Sequence, residues 1–256
     1  MNKTRKYIFT ALMTALVFVL TFSIKIPVPY TSGYIHLGDS MIYLSSIILG
    51  PIWGAFASGV GSMLADIAGG YVHYALPTLI IKALMAFVMG VVLNSENRRS
   101  FVASLATTLT IWAGLSAGTY FYIKRQIQVF GTDNIINMVV GSDADPDTIA
   151  ETKKLIGKLP FYFTAGIAVL IVIFAIAAWL ISKHQGKKVL AVNSVIAMSA
   201  AGTCMVMGYF IVESFMYSPI AATFSIPPNM IQFFGGLIVA VLLAPAFIRI
   251  KENFVQ

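Results

Sequence analysis

Apolar positions in this chain come in long blocks rather than in alternation with polar ones. Residues 7–24, 101–123, 161–182, 189–212 and 229–248 hold no Asp, Glu, Lys or Arg, and 40–69 and 76–94 hold one charged residue each. Crossing a hydrocarbon core takes about 20 helical residues. Only helices and closed barrels satisfy their backbone in lipid, and barrel strands alternate in polarity. The pattern therefore predicts an all-α polytopic membrane protein.

Segment 40–69 is long for one span and short for two, and Gly50-Pro51 lies inside it. Proline removes an interior hydrogen bond and pushes the preceding residue out of the helical region. The expectation is a short helix over 40–50, a turn, and a second helix over 51–69. Basic residues agree with the split. With two helices here, one side carries Lys3, Arg5, Lys6, Arg98, Arg99, Lys183, Lys187, Lys188, Arg249 and Lys251, and the other Lys25, Lys124, Arg125, Lys153, Lys154 and Lys158. The bias of Lys and Arg towards the cytoplasm then predicts eight crossings with both termini inside. Loops 94–100 and 183–188 are cytoplasmic on this reading, and the 124–160 loop is external. Within it, Asp143-Ala-Asp-Pro-Asp147 before Thr148–Gly157 reads as a capped, exposed amphipathic helix. The same carboxylates lack the glycine and terminal glutamate of a calcium loop.

A mean hydropathy of +0.85 with 11% charged residues supports the membrane assignment. The net charge of +7 belongs to helix flanks and forms no basic stripe, so nucleic acid is not an expected partner. No small-x-small cleavage site follows the first apolar run, which reads as a retained helix. The lone Cys204 offers neither a disulfide framework nor a cysteine metal cluster.

The scarce charges inside the spans carry the candidate chemistry. Asp39 opens the 40–50 helix, Asp66 lies near the end of 51–69, Lys82 sits about two turns into 76–94, and Glu213 lies in the last turn of the seventh span. All four fall towards the outer face. Ionisable groups in membrane segments face a partner or a wet cavity. Asp66 and Lys82 as a buried ion pair is the plain structural reading. Four such residues from four helices favour an outward-facing pocket. At the same level lie Tyr34 and His36 in the stretch Gly33-Tyr-Ile-His-Leu-Gly-Asp-Ser40, then Tyr71, His73 and Tyr74, and then Asn229 and Gln232 after Pro227-Pro228. Aromatic walls with a few placed donors and acceptors suit a small polar, aromatic solute. The candidate substrate-binding set is His36, Asp39, Asp66, Tyr71, His73, Lys82, Glu213, Asn229 and Gln232. No metal site is expected. Ala11 and Ala15 form a small-residue face on the first helix, as Gly236, Ala240 and Ala244 do on the last.

Taken in order, Gly33-Tyr34-Ile-His-Leu-Gly-Asp39, Leu49-Gly-Pro51, Gly59-Val-Gly-Ser-Met-Leu-Ala-Asp66, Gly70-Tyr71, Thr78-Leu-Ile-Ile-Lys82, Gly208-Tyr-Phe-Ile-Val-Glu213 and Ile226-Pro-Pro-Asn229-Met-Ile-Gln232 resemble the S component of an energy-coupling-factor (ECF) vitamin transporter. The resemblance covers roughly 1–95 and 190–250. It implies a six-helix core (7–24, 40–50, 51–69, 76–94, 189–217 and 229–248) that captures a vitamin from outside a bacterial cell membrane. It also implies a membrane coupling subunit and two ATPase subunits as partners, with Ala11 and Ala15 docking the coupling subunit. Segment 101–182 is then an inserted transmembrane hairpin. No Gly-x-x-x-x-Gly-Lys-Ser/Thr loop occurs, so ATP is expected to be used by the partner subunits, and no cofactor is expected in this chain.

Two other classes compete with this reading. A stand-alone secondary transporter would use Asp66, Lys82 and Glu213 as a proton relay, but no polar chain continues towards the cytoplasmic half. An intramembrane hydrolase needs a nucleophile beside a base, and no histidine here sits near a serine or cysteine motif. Riboflavin, pyridoxine-like and hydroxymethylpyrimidine-like solutes all suit the pocket, with a weak lean towards a small pyridine or pyrimidine vitamin.

Overall fold

A computed structural model describes residues 3–28, 30–94, 101–183 and 192–255. The expected cytoplasmic loops 94–100 and 183–188 fall almost wholly outside these residues. Helix α1 (Lys3–Ser23) leads into a two-residue hairpin, β1 (Ile26–Pro27) and β2 (Tyr34–Ile35), paired antiparallel with Ile26 opposite Ile35. Then follow α2 (Asp39–Ala68), α3 (Val72–Asn94), α4 (Phe101–Phe130), α5 (Thr132–Val140), α6 (Pro146–Lys183), α7 (Val192–Met216), α8 (Pro219–Thr223) and α9 (Ile226–Val255).

Helix α2 is not one rod. Gly50 adopts φ 77° and ψ −176°, open to glycine and costly for other residues. In a continuous helix, residues eight apart are about 12 Å apart. Here a Cβ built on Gly54 would lie 3.0 Å from Ser46 Cα, so the chain doubles back at Gly50-Pro51. The break falls where the proline placed it. Its consequence is functional: Asp39 at one end of α2 and Asp66 at the other reach the same end of the bundle.

Helix α2 packs on α1, α3 and α9, and α3 packs on α7. Buried Met13, Val17, Ile42, Tyr43, Leu44, Met85, Met89 and Phe233 fill the space between them. Helices α4 and α6 pack on each other and touch α7 and α9. Five segments among the described residues are long and apolar enough to cross a membrane: Lys3–Ser23, Asp39–Ala68, Val72–Asn94, Ala197–Met216 and Pro219–Ile250.

The largest departure from expectation lies in 124–160. That segment is mostly helical, because α4 runs on to Phe130, α5 follows, and α6 begins at Pro146 and continues unbroken towards 183. Apolar residues explain it: Ile135, Ile136 and Ile156 are buried against the core although acids and bases surround them in sequence. Asp145 caps α6, accepting hydrogen bonds from the backbone N–H groups of Asp147 (3.0 Å) and Thr148 (2.9 Å). The Asp-x-Asp-x-Asp carboxylates thus include a helix cap, and the capped helix is the start of a long one. The segment also touches the loop ahead of α2. Tyr30 O–H lies 2.9 Å from Thr152 Oγ1, and its ring packs edge-on against Phe224.

Candidate functional site

Hairpin β1–β2 lies over the bundle end where α2 begins and ends, α3 and α9 begin, and α7 ends. A small cavity of about 20 Å³, room for about one water molecule, opens beneath it. Its walls come from the hairpin loop (Val28, Gly33, Tyr34, His36), α2 (Asp66), α3 (Tyr74, Thr78), α7 (Tyr209, Glu213) and α9 (Asn229).

The polar groups form two layers. In the deeper one, Lys82 Nζ donates to Asp39 Oδ1 at 2.5 Å, and both side chains are fully buried. Gln232 Nε2 donates to Asp39 Oδ2 at 2.9 Å, and Gln232 Oε1 accepts from the His36 backbone N–H at 2.9 Å. Met205 Sδ receives Lys82 Nζ at 3.1 Å. Every charge here is satisfied within the chain, as a buried ion pair requires. Asp39 therefore does not cap α2. Gly38 holds the cap position with no side-chain hydrogen bond, and a Cβ there would collide with Thr21 Oγ1.

The layer lining the cavity is incomplete. Tyr34 O–H donates to Asp66 Oδ1 at 2.6 Å, and Tyr74 O–H donates to Glu213 Oε1 at 3.0 Å. Asp66 Oδ2 and Glu213 Oε2 are buried with no hydrogen-bond partner. Burial pushes the Tyr34 phenol well above its ordinary pKa, with the Asp66 carboxylate adding to the shift, so Tyr34 remains a donor. The His36 imidazole is pushed down to about 3, chiefly by burial and next by the Lys82 charge. Neutral His36 accepts from the Gly38 N–H through Nδ1 at 3.0 Å, which leaves Nε2 carrying the proton as a donor.

Nine sequence-nominated residues divide four ways. His36, Asp66, Glu213 and Asn229 line the cavity. Asp39, Lys82 and Gln232 form the layer beneath it. Tyr71 stands at the rim, its ring 4.5 Å from that of Tyr34, with Lys25 Nζ 5.3 Å from each ring centre. His73 is exposed and only its ring contact with Tyr74 at 4.9 Å ties it to the site. The neighbour, Tyr74, takes the inward position. The alternative reading of Asp66 and Lys82 as a buried ion pair does not hold, since Lys82 pairs with Asp39. Thr78 and Tyr209 went unnominated, and their hydroxyls lie 3.2 Å apart. A signal was present: Tyr74, Thr78 and Lys82 share one helical face at four-residue spacing, as do Tyr209 and Glu213.

The two small-residue stripes differ. Gly236, Ala240 and Ala244 are buried within the chain, whereas Ala11 and Ala15 are exposed on the outer face of α1.

A bundle of apolar helices that closes a polar and aromatic cavity at one end defines a membrane protein suited to holding a small solute. Residues 1–143 match the family described as ECF-type riboflavin transporter, S component, and the chain belongs to that family. The family is one of transporter components and not of enzymes, and the long apolar helices accord with a multi-pass membrane protein. The match runs through 101–143, which the sequence reading assigned to an insertion, and stops before α7 and α9. The chain is also similar to a Pyrococcus woesei protein described as "Uncharacterized protein in gap 3'region". The two are 46% identical over 72 residues, covering 28% of this chain and 48% of that protein, so the chain spans about half the length of this curated relative. No solved structure matches.

Proposed function

We propose that this chain captures a riboflavin-type vitamin from the outer face of the cell membrane and hands it to an ATP-driven energy-coupling-factor module. The observation that carries the reading is the cavity under the β-hairpin, where His36, Asp66, Glu213 and Asn229 converge from four separate segments among tyrosine rings. The riboflavin description attached to the family moves the reading from a small pyridine or pyrimidine towards a larger flavin-type ligand. Ala11 and Ala15, exposed side by side on α1, support docking of a membrane coupling subunit, with two ATPase subunits behind it. On this reading the helices cross eight times, with α2 contributing two, both termini cytoplasmic and the cavity outside. The α4–α6 hairpin is an addition to a six-helix core. A proton relay through Asp66, Lys82 and Glu213 gains no support, since Lys82 is held by Asp39. The direct test is titration of the detergent-purified chain with riboflavin, following quenching of flavin fluorescence. Saturable one-to-one quenching is expected. Its absence, with a different vitamin co-purifying, would replace riboflavin in this reading.

A further inference from the structure

We infer that the ligand donates at least two hydrogen bonds into the cavity, one to Asp66 Oδ2 and one to Glu213 Oε2, and presents no anionic group to them. This inference rests on the cavity being the ligand site. Asp66 and Glu213 are 3% and 2% exposed, and one oxygen of each accepts a phenol O–H, from Tyr34 and Tyr74 respectively, while the Thr78 hydroxyl also acts on Asp66 and those of Ser225 and Thr31 on Glu213. The second oxygen of each is buried and unpartnered. Asp39 shows that the fold is able to complete a buried carboxylate, since both its oxygens are paired, with Lys82 and Gln232. The two incomplete carboxylates lie on different helices and line the same cavity.

No Lys or Arg lines that cavity. Lys82 is committed to Asp39, and Lys25 lies outside the lining against the rings of Phe22, Tyr34 and Tyr71. A ligand anion entering between two carboxylates would meet repulsion strengthened by the low local dielectric and offset by no lining cation. Ring N–H, amino or sugar hydroxyl groups would instead complete both carboxylates. The chemical class is a neutral or cationic nitrogen heterocycle bearing such donors.

The test uses the full-length chain in detergent, as wild type, Asp66→Asn, Glu213→Gln and the double variant. Each amide keeps the carboxyl shape and still accepts from its tyrosine, so melting temperatures should match wild type. The probes are riboflavin, thiamine and pyridoxamine, each paired with its phosphate ester. At least one unphosphorylated vitamin should bind wild type more tightly than its ester. Its affinity should fall about tenfold in each single variant, as expected for losing a charge-assisted hydrogen bond. Failure of riboflavin with success of thiamine or pyridoxamine removes the flavin reading and leaves this inference standing. Unchanged or tighter binding by the amide variants, esters that bind as well as their parents, or no binding by any probe would overturn it.

Discussion

Lys82 and Asp39 lie 43 residues apart in sequence and meet at 2.5 Å, with both side chains fully buried. Helix α2 must reverse at Gly50 for this contact to coexist with Asp66 on the cavity wall. The pair fastens α3 to the start of α2 directly beneath the candidate site. Removing one partner strands a charge in a low dielectric, which costs about 3–5 kcal/mol, whereas removing both costs far less. Lys82→Met alone should therefore lower the melting temperature of the purified chain sharply. Lys82→Met with Asp39→Asn should recover most of the loss. Equal melting temperatures for the single and double variants would show that the pair does not hold the fold.

Gln232 reads from sequence as a candidate ligand contact. Its bonds to the His36 N–H, Asp39 Oδ2 and Met205 Sδ give it a different place, one layer below the cavity. Gln232→Ala should leave two buried polar groups unsatisfied, at about 1–3 kcal/mol each. Thermal unfolding should show this loss directly. An unshifted melting temperature with weakened ligand binding would return Gln232 to the cavity wall.

Blocks of apolar residues made the helices legible, and Gly50-Pro51 made the reversal of α2 legible, because proline chemistry is local. Which charge meets which is not local. Asp66 and Asp39 are both within a few helical turns of Lys82 in any topology diagram, and only the packing of the α2 reversal selects Asp39. His73 and Tyr74 are adjacent, so a rotation of about 100° per residue decides which one faces inward. Segment 124–160 misled because its charges hide Ile135, Ile136 and Ile156, which are buried only once α5 and α6 fold onto the bundle.

Neutral His36 gives the fold a pH dependence with a defined sign. Its pKa lies at about 3 in the folded chain and at about 6.5 when exposed. Below pH 6.5 the unfolded state binds the extra proton, so stability falls as pH falls. The contribution is complete above about pH 6.5 and is lost down to about pH 3, at about 1.4 kcal/mol per pH unit within that window. His36→Asn keeps an acceptor for the Gly38 N–H without the titration. Melting temperature against pH should be flatter for the variant than for wild type between 3 and 6.5, and parallel curves would refute the assignment.

The proposed topology puts Asp145 and its neighbours outside and residue 97, beyond the described residues, in the cytoplasm. In a Cys204→Ala background, a membrane-impermeant thiol reagent applied to intact cells should label a cysteine placed at Ser142 and spare one placed at Asn97. Labelling of both would remove the eight-crossing arrangement.

Ala11 and Ala15 present the sharpest contrast between packing and docking. Met13 and Val17 of the same helix are wholly buried, while the two alanines face outward. A small-residue face lets a partner helix approach closely, and leucine at both positions would hold such a helix away. Ala11→Leu with Ala15→Leu changes nothing that touches the cavity, so the isolated chain should keep its melting temperature and its ligand affinity. Uptake by cells that contain the complete transporter should fall at least tenfold. Loss of ligand binding in the isolated variant would assign the stripe to internal packing. Normal uptake would move the docking surface to another helix.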